Sequence, residues 1–151
     1  KPLGTAGALG LLRKDQQSTP LLVMNSDLLT RLDFGRLLDY HQDHGGVATM
    51  CVRESEYQIP YGIVESDGIQ IIDIKEKPVQ KFLVNAGIYV LEQEFVGRCK
   101  LNEVKDMPDL VREVIIEGGK VNMFPIHEYW IDIGRIEDYE QAQIEGVDLI
   151  A

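Results

Sequence analysis

The chain has 151 residues, of which 44% are hydrophobic and 26% are charged. These values are typical of a folded globular domain and exclude wholesale disorder, collagen-like repeats and a coiled coil. The formal net charge of −10 argues against general binding to nucleic acid or to an anionic membrane, because both need a basic surface. A small anionic substrate remains compatible with this charge if metal ions or a local cationic patch offset the field.

The two cysteines, Cys51 and Cys99, lie far apart and form no C-x-x-C pair. They indicate neither a zinc knuckle nor a disulfide framework. No apolar run approaches the ~20 residues of a membrane-spanning helix, and a cytoplasmic location is the default expectation. The chain opens on a Gly/Ala-rich segment without an initiator Met, so we expect a fragment, or a chain whose front end is missing.

The first helix is expected over residues 4–12, with Thr5 as its N-cap and with Leu9, Leu11 and Leu12 facing inward.

The next three segments predict a strand, a helix and a strand. Residues 21–25 form an apolar run typical of a strand buried on both faces. Apolar residues at helical spacing over 33–44 predict an amphipathic helix, which Gly45-Gly46 ends. Residues 47–52 predict the next buried strand, and such a unit makes a right-handed parallel crossover.

After residue 60 the sequence pattern changes to alternating apolar and polar residues, which is typical of strands. Residues 61–65 and 69–76 flank Ser66-Asp67-Gly68, which predicts a hairpin. Residues 82–91 predict a further strand, in which Gly87 marks the close approach of a ligand or of another backbone.

A second amphipathic helix is expected to begin at Asp106, with Pro108 in its first turn. A strand over 120–126, an extended piece over 129–134 and a closing helix over 137–144 complete the chain. The pattern predicts one compact mixed-sheet α/β domain over residues 1–151. The buried stripe of the second helix is predicted to be Leu110, Val111, Val114 and Ile115.

Two aspartates stand out by position. Asp27 lies just beyond the carboxyl end of a buried strand, where ligands bind in open α/β sheets. Asp132 lies in an aromatic-flanked extended piece, two residues before Gly134. If the two carboxylates converged, they would suit Mg²⁺. Position alone favours a plainer role in turns, where aspartate is common.

Lys77 follows Glu76 at the end of a strand, and Pro78 is expected to hold it extended. In that place it could set a point charge against a phosphate, although charge runs of this kind are usually solvated strand ends. The small residues over 4–8 suit either close approach of a flat ring or a tightly packed helix start. Among the remaining residues, His41 and Trp130 are typical of the core.

Six strings occur in the order and rough spacing of the sugar-nucleotidyltransferase family, which the chain therefore resembles from its first residues to about Gln143. Each string is weak alone, and the ordered set is specific. The strings are Leu3-Gly4-Thr5-Ala6-Gly7-Ala8, Asn25-Ser26-Asp27, Tyr61-Gly62-Ile63-Val64, Glu76-Lys77-Pro78, Asn85-Ala86-Gly87-Ile88-Tyr89 and Trp130-Ile131-Asp132-Ile133-Gly134.

The resemblance implies a Rossmann-like, mixed and mostly parallel sheet flanked by helices, of the nucleotide-diphospho-sugar transferase type. It implies that the chain is N-terminally truncated and holds the C-terminal two thirds of a catalytic domain. It also implies the reaction of a nucleoside triphosphate with a sugar-1-phosphate to give a nucleoside-diphosphate sugar and pyrophosphate. The partners are then these two substrates, with self-association left open.

The same resemblance implies roles for individual residues. Asp27 and Asp132 would hold Mg²⁺, and Lys77 would contact the sugar phosphate; these three are the expected catalytic residues. The other substrate-binding residues fall into a nucleobase and ribose loop, a sugar pocket and one aromatic side chain. They are Gly4, Thr5, Ala6 and Gly7 for the loop, Gly62, Glu76, Asn85 and Gly87 for the pocket, and Trp130 for the aromatic.

Two departures from the family pattern matter. The chain lacks the G-x-G-T-R loop that cradles the β- and γ-phosphates, so we expect this chain alone to be inactive, although the parent protein should be active. We also expect an open edge on its central sheet. Ser26 precedes Asp27 where the family commonly has glycine. The alternative is a non-catalytic regulatory or assembly domain that binds a sugar nucleotide, and a glycosyltransferase of related topology is a third reading. Neither base nor sugar is predicted uniquely; guanylyl transfer to a mannose-like sugar and thymidylyl or uridylyl transfer to glucose-1-phosphate both fit.

Overall fold

The computed structural model describes residues 1–12 and 20–134. The closing helix predicted over 137–144 lies outside these residues. The helices are α1 (Gly4–Gly7), α2 (Phe34–His44), α3 (Gln93–Val96) and α4 (Met107–Ile116), with a 3₁₀ turn at Ala8–Leu11. The strands are β1 (Leu21–Met24), β2 (Leu28–Thr30), β3 (Ala48–Gln58), β4 (Ile63–Asp67), β5 (Gln70–Lys75), β6 (Val79–Leu91), β7 (Val121–Pro125) and β8 (Trp130–Asp132).

A four-stranded sheet in the order β1-β6-β3-β7 forms the centre of the described part. β6 is antiparallel to β1 and to β3, and β7 is parallel to β3. Three strands therefore run in one direction and β6 in the other, which confirms the expected mixed sheet flanked by helices. β1 and β3 are parallel and connected through α2, as predicted, but β6 is inserted between them.

Both faces of the sheet are covered by packed side chains. Successive residues of a strand point to opposite faces, so neighbouring residues of β6 belong to different hydrophobic clusters. On one face, Tyr89 and Leu91 of β6 pack with Phe95 and with the apolar stripe of α4. On the other face, Ile88 and Val90 pack with Leu37 of α2. The 13-residue β6 thus contributes buried side chains to both hydrophobic clusters. β3 does the same through Ala48 and Cys51.

Helix α2 begins and ends as its sequence predicts. Asp33 caps it by accepting two backbone N–H groups of the first turn, and Gly45 ends it with a φ of +60°. His41 is only 2% exposed. Its Nδ1 lies 2.7 Å from Thr49 Oγ1 and its Nε2 lies 3.1 Å from Glu92 Oε1, so the prediction that His41 belongs to the core is confirmed.

The N-terminal segment differs from its prediction. Leu11 and Leu12 are 51% and 42% exposed, and only Leu9 is buried, because the chain tightens into a 3₁₀ turn after Gly7. Thr5 is not the N-cap of α1, whose N-cap is Leu3. The Oγ1 of Thr5 instead accepts from the N–H of Met107, the first residue of α4, at 2.8 Å.

Two burial predictions were also wrong. Strand β1 is not buried on both faces, since Leu22 and Met24 are 37% and 44% exposed. Within the described part of the chain, β1 is the outer strand and pairs with β6 alone, which is the open edge that the sequence led us to expect. In α4 the buried stripe stops at Val114, and Ile115 is 55% exposed.

The predicted hairpin is present as the pair β4–β5, which reverses at Gly68 and forms a two-stranded sheet of its own. Its residues are exposed except Ile63, which is half-buried. Lys75 pairs with Glu65 on the charged side, whereas Val64 and Ile74 are open to solvent. Among the described helices, none is both long and apolar enough to cross a bilayer.

The two cysteines provide a test of the packing. Both are free thiols, Cys51 buried and Cys99 half-buried. Burial, with a smaller contribution from Glu128, raises the pKa of Cys51 to about 12. Burial also raises the pKa of Cys99. A thiolate is the reactive form, so we expect Cys51 to resist iodoacetamide at pH 8.

The measurement is native alkylation followed by mass spectrometry, with the urea-unfolded chain as the control. We expect Cys99 to react more slowly than a fully exposed thiol, and Cys51 to react only after unfolding. Native labelling of Cys51 at the rate of the unfolded chain would contradict the packing around β3.

Candidate active site

The structure brings Asp27 and Asp132 together through a short antiparallel ladder between β2 and β8. Asp132 lies opposite Leu28 in the register. The N–H of Ile133 donates to the carbonyl of Asp27 at 2.8 Å. The two aspartates, 105 positions apart in the sequence, therefore stand on adjacent backbones at the open end of this ladder, and both are exposed.

The two carboxylates have few hydrogen-bond or ion-pair partners within the described residues. Asp132 Oδ1 accepts from the N–H of Gly134 at 3.0 Å. Within residues 1–12 and 20–134, neither Asp27 nor Asp132 has an ion-pair partner. Two exposed carboxylates on adjacent backbones match in number the one or two that Mg²⁺ usually takes from a protein. Nowhere in those same ranges do three or more His, Cys, Asp or Glu side chains gather as a larger metal site would require.

A cleft of about 340 Å³ opens beside Asp27. It is bounded on one side by Thr5 of α1 and on the other by the end of β1 and the turn that follows it. This position, just beyond the carboxyl end of a strand, is the usual place for a ligand in an open α/β sheet. Its lining residues are Thr5, Val23, Met24, Asn25, Ser26 and Asp27.

The small residues of α1 are explained by packing against the segment before α4. A Cβ on Gly4 would lie 2.5 Å from the carbonyl oxygen of Lys105, and one on Gly7 would overlap the carbonyl of Glu103. The amides of Ala6 and Gly7 both donate to Lys105. Their contact with a nucleobase stays a prediction, and Thr5 is the member of this loop that borders the cleft.

Gly87 is held against the turn after β1. Its φ is +70°, and a Cβ there would lie 2.7 Å from Asn25 Nδ2. The N–H of Asn25 also donates to the Gly87 carbonyl at 2.9 Å. The close approach predicted from the sequence is therefore that of Asn25, and it brings the centre of β6 to the residues that precede Asp27.

The side chain of Asn85 is fixed at both ends. Its Oδ1 accepts from the N–H of Gly87 at 3.0 Å, and its Nδ2 donates to the hydroxyl of Tyr89 at 2.6 Å. The predicted sugar-pocket residues Asn85 and Gly87 are thus connected to each other, and Asn25 connects them to the aspartate pair.

Trp130 fastens β8 to the sheet. Its Nε1 donates to the carbonyl of Ala86 at 2.9 Å, and its half-buried ring packs on the cluster that contains Leu37. The guanidinium of Arg53 lies 6.0 Å from the centre of that ring and donates to the carbonyl of Glu128 at 2.8 Å. Trp130 has these packing contacts, and its predicted contact with substrate remains a prediction.

A second group of predicted residues lies at the other end of β6. A Cβ on Gly62 would lie 2.9 Å from Glu76 Oε2, so these two residues are neighbours. Lys77 follows them with a φ of +43°. The expectation that Pro78 holds Lys77 extended was wrong, because the chain turns here in the left-handed region, which costs a non-glycine residue about 1–2 kcal/mol.

The structure does not bring Lys77 into contact with the aspartate pair. Val79 and Gly87 are eight positions apart along β6, about 26 Å of extended strand. Within the described ranges, no ion pair or hydrogen bond engages Lys77 Nζ. The expected cluster of Asp27, Asp132 and Lys77 is therefore divided into the pair near Gly87 and a separate group at Lys77.

The sequence reasoning passed over Asn25 and Tyr89 as individual site residues. Both stand in strings that carried the family resemblance, but neither is charged. The partner of Asn25 is the distant Gly87, and the partner of Tyr89 is Asn85, four residues away on the same strand face. The spacing of Asn85, Gly87 and Tyr89 at i, i+2 and i+4 is the signal that places them on one face of β6.

These features describe an α/β protein with two acidic side chains beyond the carboxyl end of an open sheet's strand. Residues 1–146 match the family model described as nucleotidyl transferase. The chain belongs to this family.

Curated relatives agree with that assignment. The chain is 34% identical over 150 residues to a protein named putative mannose-1-phosphate guanyltransferase from Sulfolobus acidocaldarius, covering 97% of this chain and 41% of that protein. It is 32% identical to a probable mannose-1-phosphate guanylyltransferase 1 from Oryza sativa subsp. japonica, covering 92% and 40%. The chain thus spans about two fifths of the length of these relatives.

The fold resembles that of HddC from Yersinia pseudotuberculosis, solved in complex with GMP-PN. The TM-score is 0.68 at 22% identity, covering 96% of this chain and 63% of that one. A structure titled as a putative glucose-1-phosphate thymidylyltransferase from Bacillus anthracis gives a TM-score of 0.67 at 18% identity, with 95% and 61% covered.

The contact between Gly87 and Asn25 yields a test. Gly87→Ala meets both an unfavourable φ and a steric overlap with Asn25, and we expect it to lower the free energy of unfolding by about 2–4 kcal/mol. Gly68→Ala is the matched control, since Gly68 has a φ of +58° and open space around its Cβ position; it should cost about 1 kcal/mol.

Urea unfolding of the two variants and the parent measures the difference. Equal losses for Gly87→Ala and Gly68→Ala would contradict the close packing of β6 on Asn25.

Proposed function

We propose that the protein transfers a nucleotidyl group from a nucleoside triphosphate to a sugar-1-phosphate, releasing pyrophosphate. The observation that carries the proposal is the position of Asp27 in the cleft, with Asp132 on the adjacent backbone of the β2–β8 ladder. Membership of the nucleotidyl transferase family supports it.

The reaction is a single in-line displacement. An oxygen of the sugar-1-phosphate forms a bond to the α-phosphorus of the triphosphate, and the bond from that phosphorus to the bridging α–β oxygen breaks. The attacking oxygen is already ionised at neutral pH, so no general base is needed. Because both reactants are polyanions, catalysis is chiefly positioning and the offsetting of negative charge.

Asp27 and Asp132 are the residues that would hold Mg²⁺, as oxygen donors of the kind this ion prefers. When bound, the ion supplies neutralisation of phosphate charge at the reacting centre. The protein's own contribution there is the β2–β8 ladder, which holds both carboxylates on one rigid element while leaving their outer oxygens open.

Asn85 and Gly87 would face the sugar, and Thr5 would border the nucleotide. Lys77, together with Gly62 and Glu76, would act on the sugar phosphate only if the far end of β6 and its hairpin approach the cleft when substrate is bound. We therefore assign Lys77 a role in substrate closure rather than in the preformed site.

The relatives' names favour a particular substrate pair. Both curated relatives described above are named for mannose-1-phosphate and guanylyl transfer, and we propose GTP and mannose-1-phosphate as the first pair to test. We further propose the cytosol as the location, since free thiols are typical of a reducing compartment.

The direct test is pyrophosphate release by the full natural protein across a panel of triphosphates and sugar-1-phosphates. We expect turnover with Mg²⁺ and loss of turnover with excess chelator. Binding of a nucleoside-diphosphate sugar without turnover on any pair would overturn the enzyme proposal in favour of a regulatory domain.

The aspartate pair is tested by substitution. Asp27→Asn and Asp132→Asn should each lower kcat by at least ~10²-fold, because each removes a negative metal ligand while keeping the shape of the side chain. Asp43→Asn, an exposed site on α2, is the matched control and should leave kcat unchanged. Near-normal turnover by either variant of the pair would show that its residue has no metal role.

Lys77 separates stability from activity. Lys77→Gly removes the charge and also relieves the left-handed backbone, so we expect the free energy of unfolding to rise by about 0.5–1 kcal/mol. We expect KM for the sugar-1-phosphate to increase at the same time.

Lys77→Arg, which keeps the charge on the same backbone, is the control and should retain more of the activity. If Lys77→Gly is stabilised and keeps the parent KM, the phosphate role of Lys77 is wrong.

A further inference from the structure

Three residues of β6 form a connected polar line on one face of the strand. The N–H of Gly87 donates to Asn85 Oδ1 at 3.0 Å, and Asn85 Nδ2 donates to the Tyr89 hydroxyl at 2.6 Å. Asn85 is exposed, whereas Tyr89 is only 3% exposed. The surface group of this line is therefore the carboxamide, and the phenol stands behind it.

These hydrogen bonds also fix the orientation of the Asn85 carboxamide, that is, the positions of its oxygen and its nitrogen. The two ends of a carboxamide have nearly the same shape, so hydrogen bonding decides its orientation. A backbone N–H only donates, and Gly87 therefore requires the oxygen of Asn85. The nitrogen is then directed at Tyr89, whose hydroxyl oxygen accepts.

The environment of Tyr89 suits this task. Its ring is packed in the cluster with Phe95 and Leu110, so the hydroxyl has a fixed position. Burial raises the pKa of Tyr89, although the hydrogen bond from Asn85 acts in the opposite direction. The hydroxyl remains neutral at physiological pH and accepts from the amide without introducing a buried charge.

The fixed amide still has capacity for a ligand. A carboxamide has two N–H donors and two acceptor lone pairs, and the internal line uses one of each. Among the described residues no other hydrogen bond engages this carboxamide, so one donor and one acceptor remain for a ligand. A hydroxyl group both donates and accepts, so this arrangement matches the hydroxyls of a sugar.

We propose that Tyr89 is a positioning residue for sugar recognition, acting by holding the Asn85 carboxamide in the orientation that presents a donor and an acceptor to the sugar-1-phosphate. This inference rests on the proposed function, and it adds to it a residue that reaches substrate only through Asn85.

The experiment is Tyr89→Phe in the full natural protein, which removes one oxygen and keeps the ring in the core. Loss of one hydrogen bond to the amide should raise KM for the sugar-1-phosphate about 3- to 10-fold. KM for the triphosphate should stay at the parent value. Tyr40→Phe is the matched control, because the Tyr40 hydroxyl donates to the carbonyl of Met123 on an exposed part of α2, and it should change neither constant.

A second readout separates positioning from general loosening. Sugar-1-phosphates deoxygenated at each ring position in turn are compared with the parent sugar. The native protein should discriminate against the analogue that lacks the hydroxyl bound by Asn85, and Tyr89→Phe should lose most of that discrimination. Asn85→Ala should lose it too, and the double variant should be no worse than Asn85→Ala.

The outcomes are distinct from those of the functional test. Absence of turnover by the native protein on every substrate pair contradicts the proposed function. With an active native protein, a parent KM in Tyr89→Phe, or multiplicative effects of Tyr89→Phe and Asn85→Ala, overturns the positioning role. If Tyr89→Phe does not fold, Asn85→Asp replaces it, since a carboxylate keeps the acceptor for Gly87 and loses the donor; retained discrimination in that variant overturns the inference equally.

Discussion

The backbone hydrogen bond from Ile133 to Asp27 is the contact on which the rest of the site depends. It closes the β2–β8 ladder and so places Asp132 beside Asp27. The two residues are distant in sequence, and the backbone ladder is what brings their main chains to adjacent positions. Trp130 secures β8 in turn by its hydrogen bond to Ala86. β6 therefore anchors both acidic segments, since Gly87 accepts from the N–H of Asn25 and Ala86 accepts from Trp130.

The two ends of β6 differ in physical character. Near Gly87 the strand is buried on both faces and its polar groups are engaged by Asn25, Asn85 and Tyr89. Toward Val79 it is exposed, beside a hairpin that forms a sheet of its own. A small two-stranded sheet with little packing is marginally stable in water. One end of β6 is therefore held by packing and hydrogen bonds, whereas the other end lies in solvent.

Local patterns predicted much of this architecture. The helix over residues 33–44, its end at Gly45 and the reversal at Gly68 were predicted correctly, because each depends on a few neighbouring residues. Burial along β1 was not, since a fully apolar run does not show whether a strand is central or at an edge. Lys77 was misplaced for a similar reason: the rule for residues before proline describes a local preference, and the turn out of the hairpin overrides it. The insertion of β6 between β1 and β3 is a long-range choice with no local signal.

The site residues also differ in how far the sequence predicts them. The aspartates and Gly87 were identified from position and family resemblance. The separation of Lys77 from the aspartate pair depends on the length of β6, which the sequence pattern did not predict. The most direct measurement of the central claim is a cross-link across the ladder. With cysteine at both Leu28 and Asp132, directly opposed in the register, mild oxidation should form a disulfide between those positions in nearly all molecules, seen by mass spectrometry of the linked peptides. The pair Leu28 and Met123, also changed to cysteine, should remain unlinked. Failure of the first pair to link in the folded protein would contradict the account.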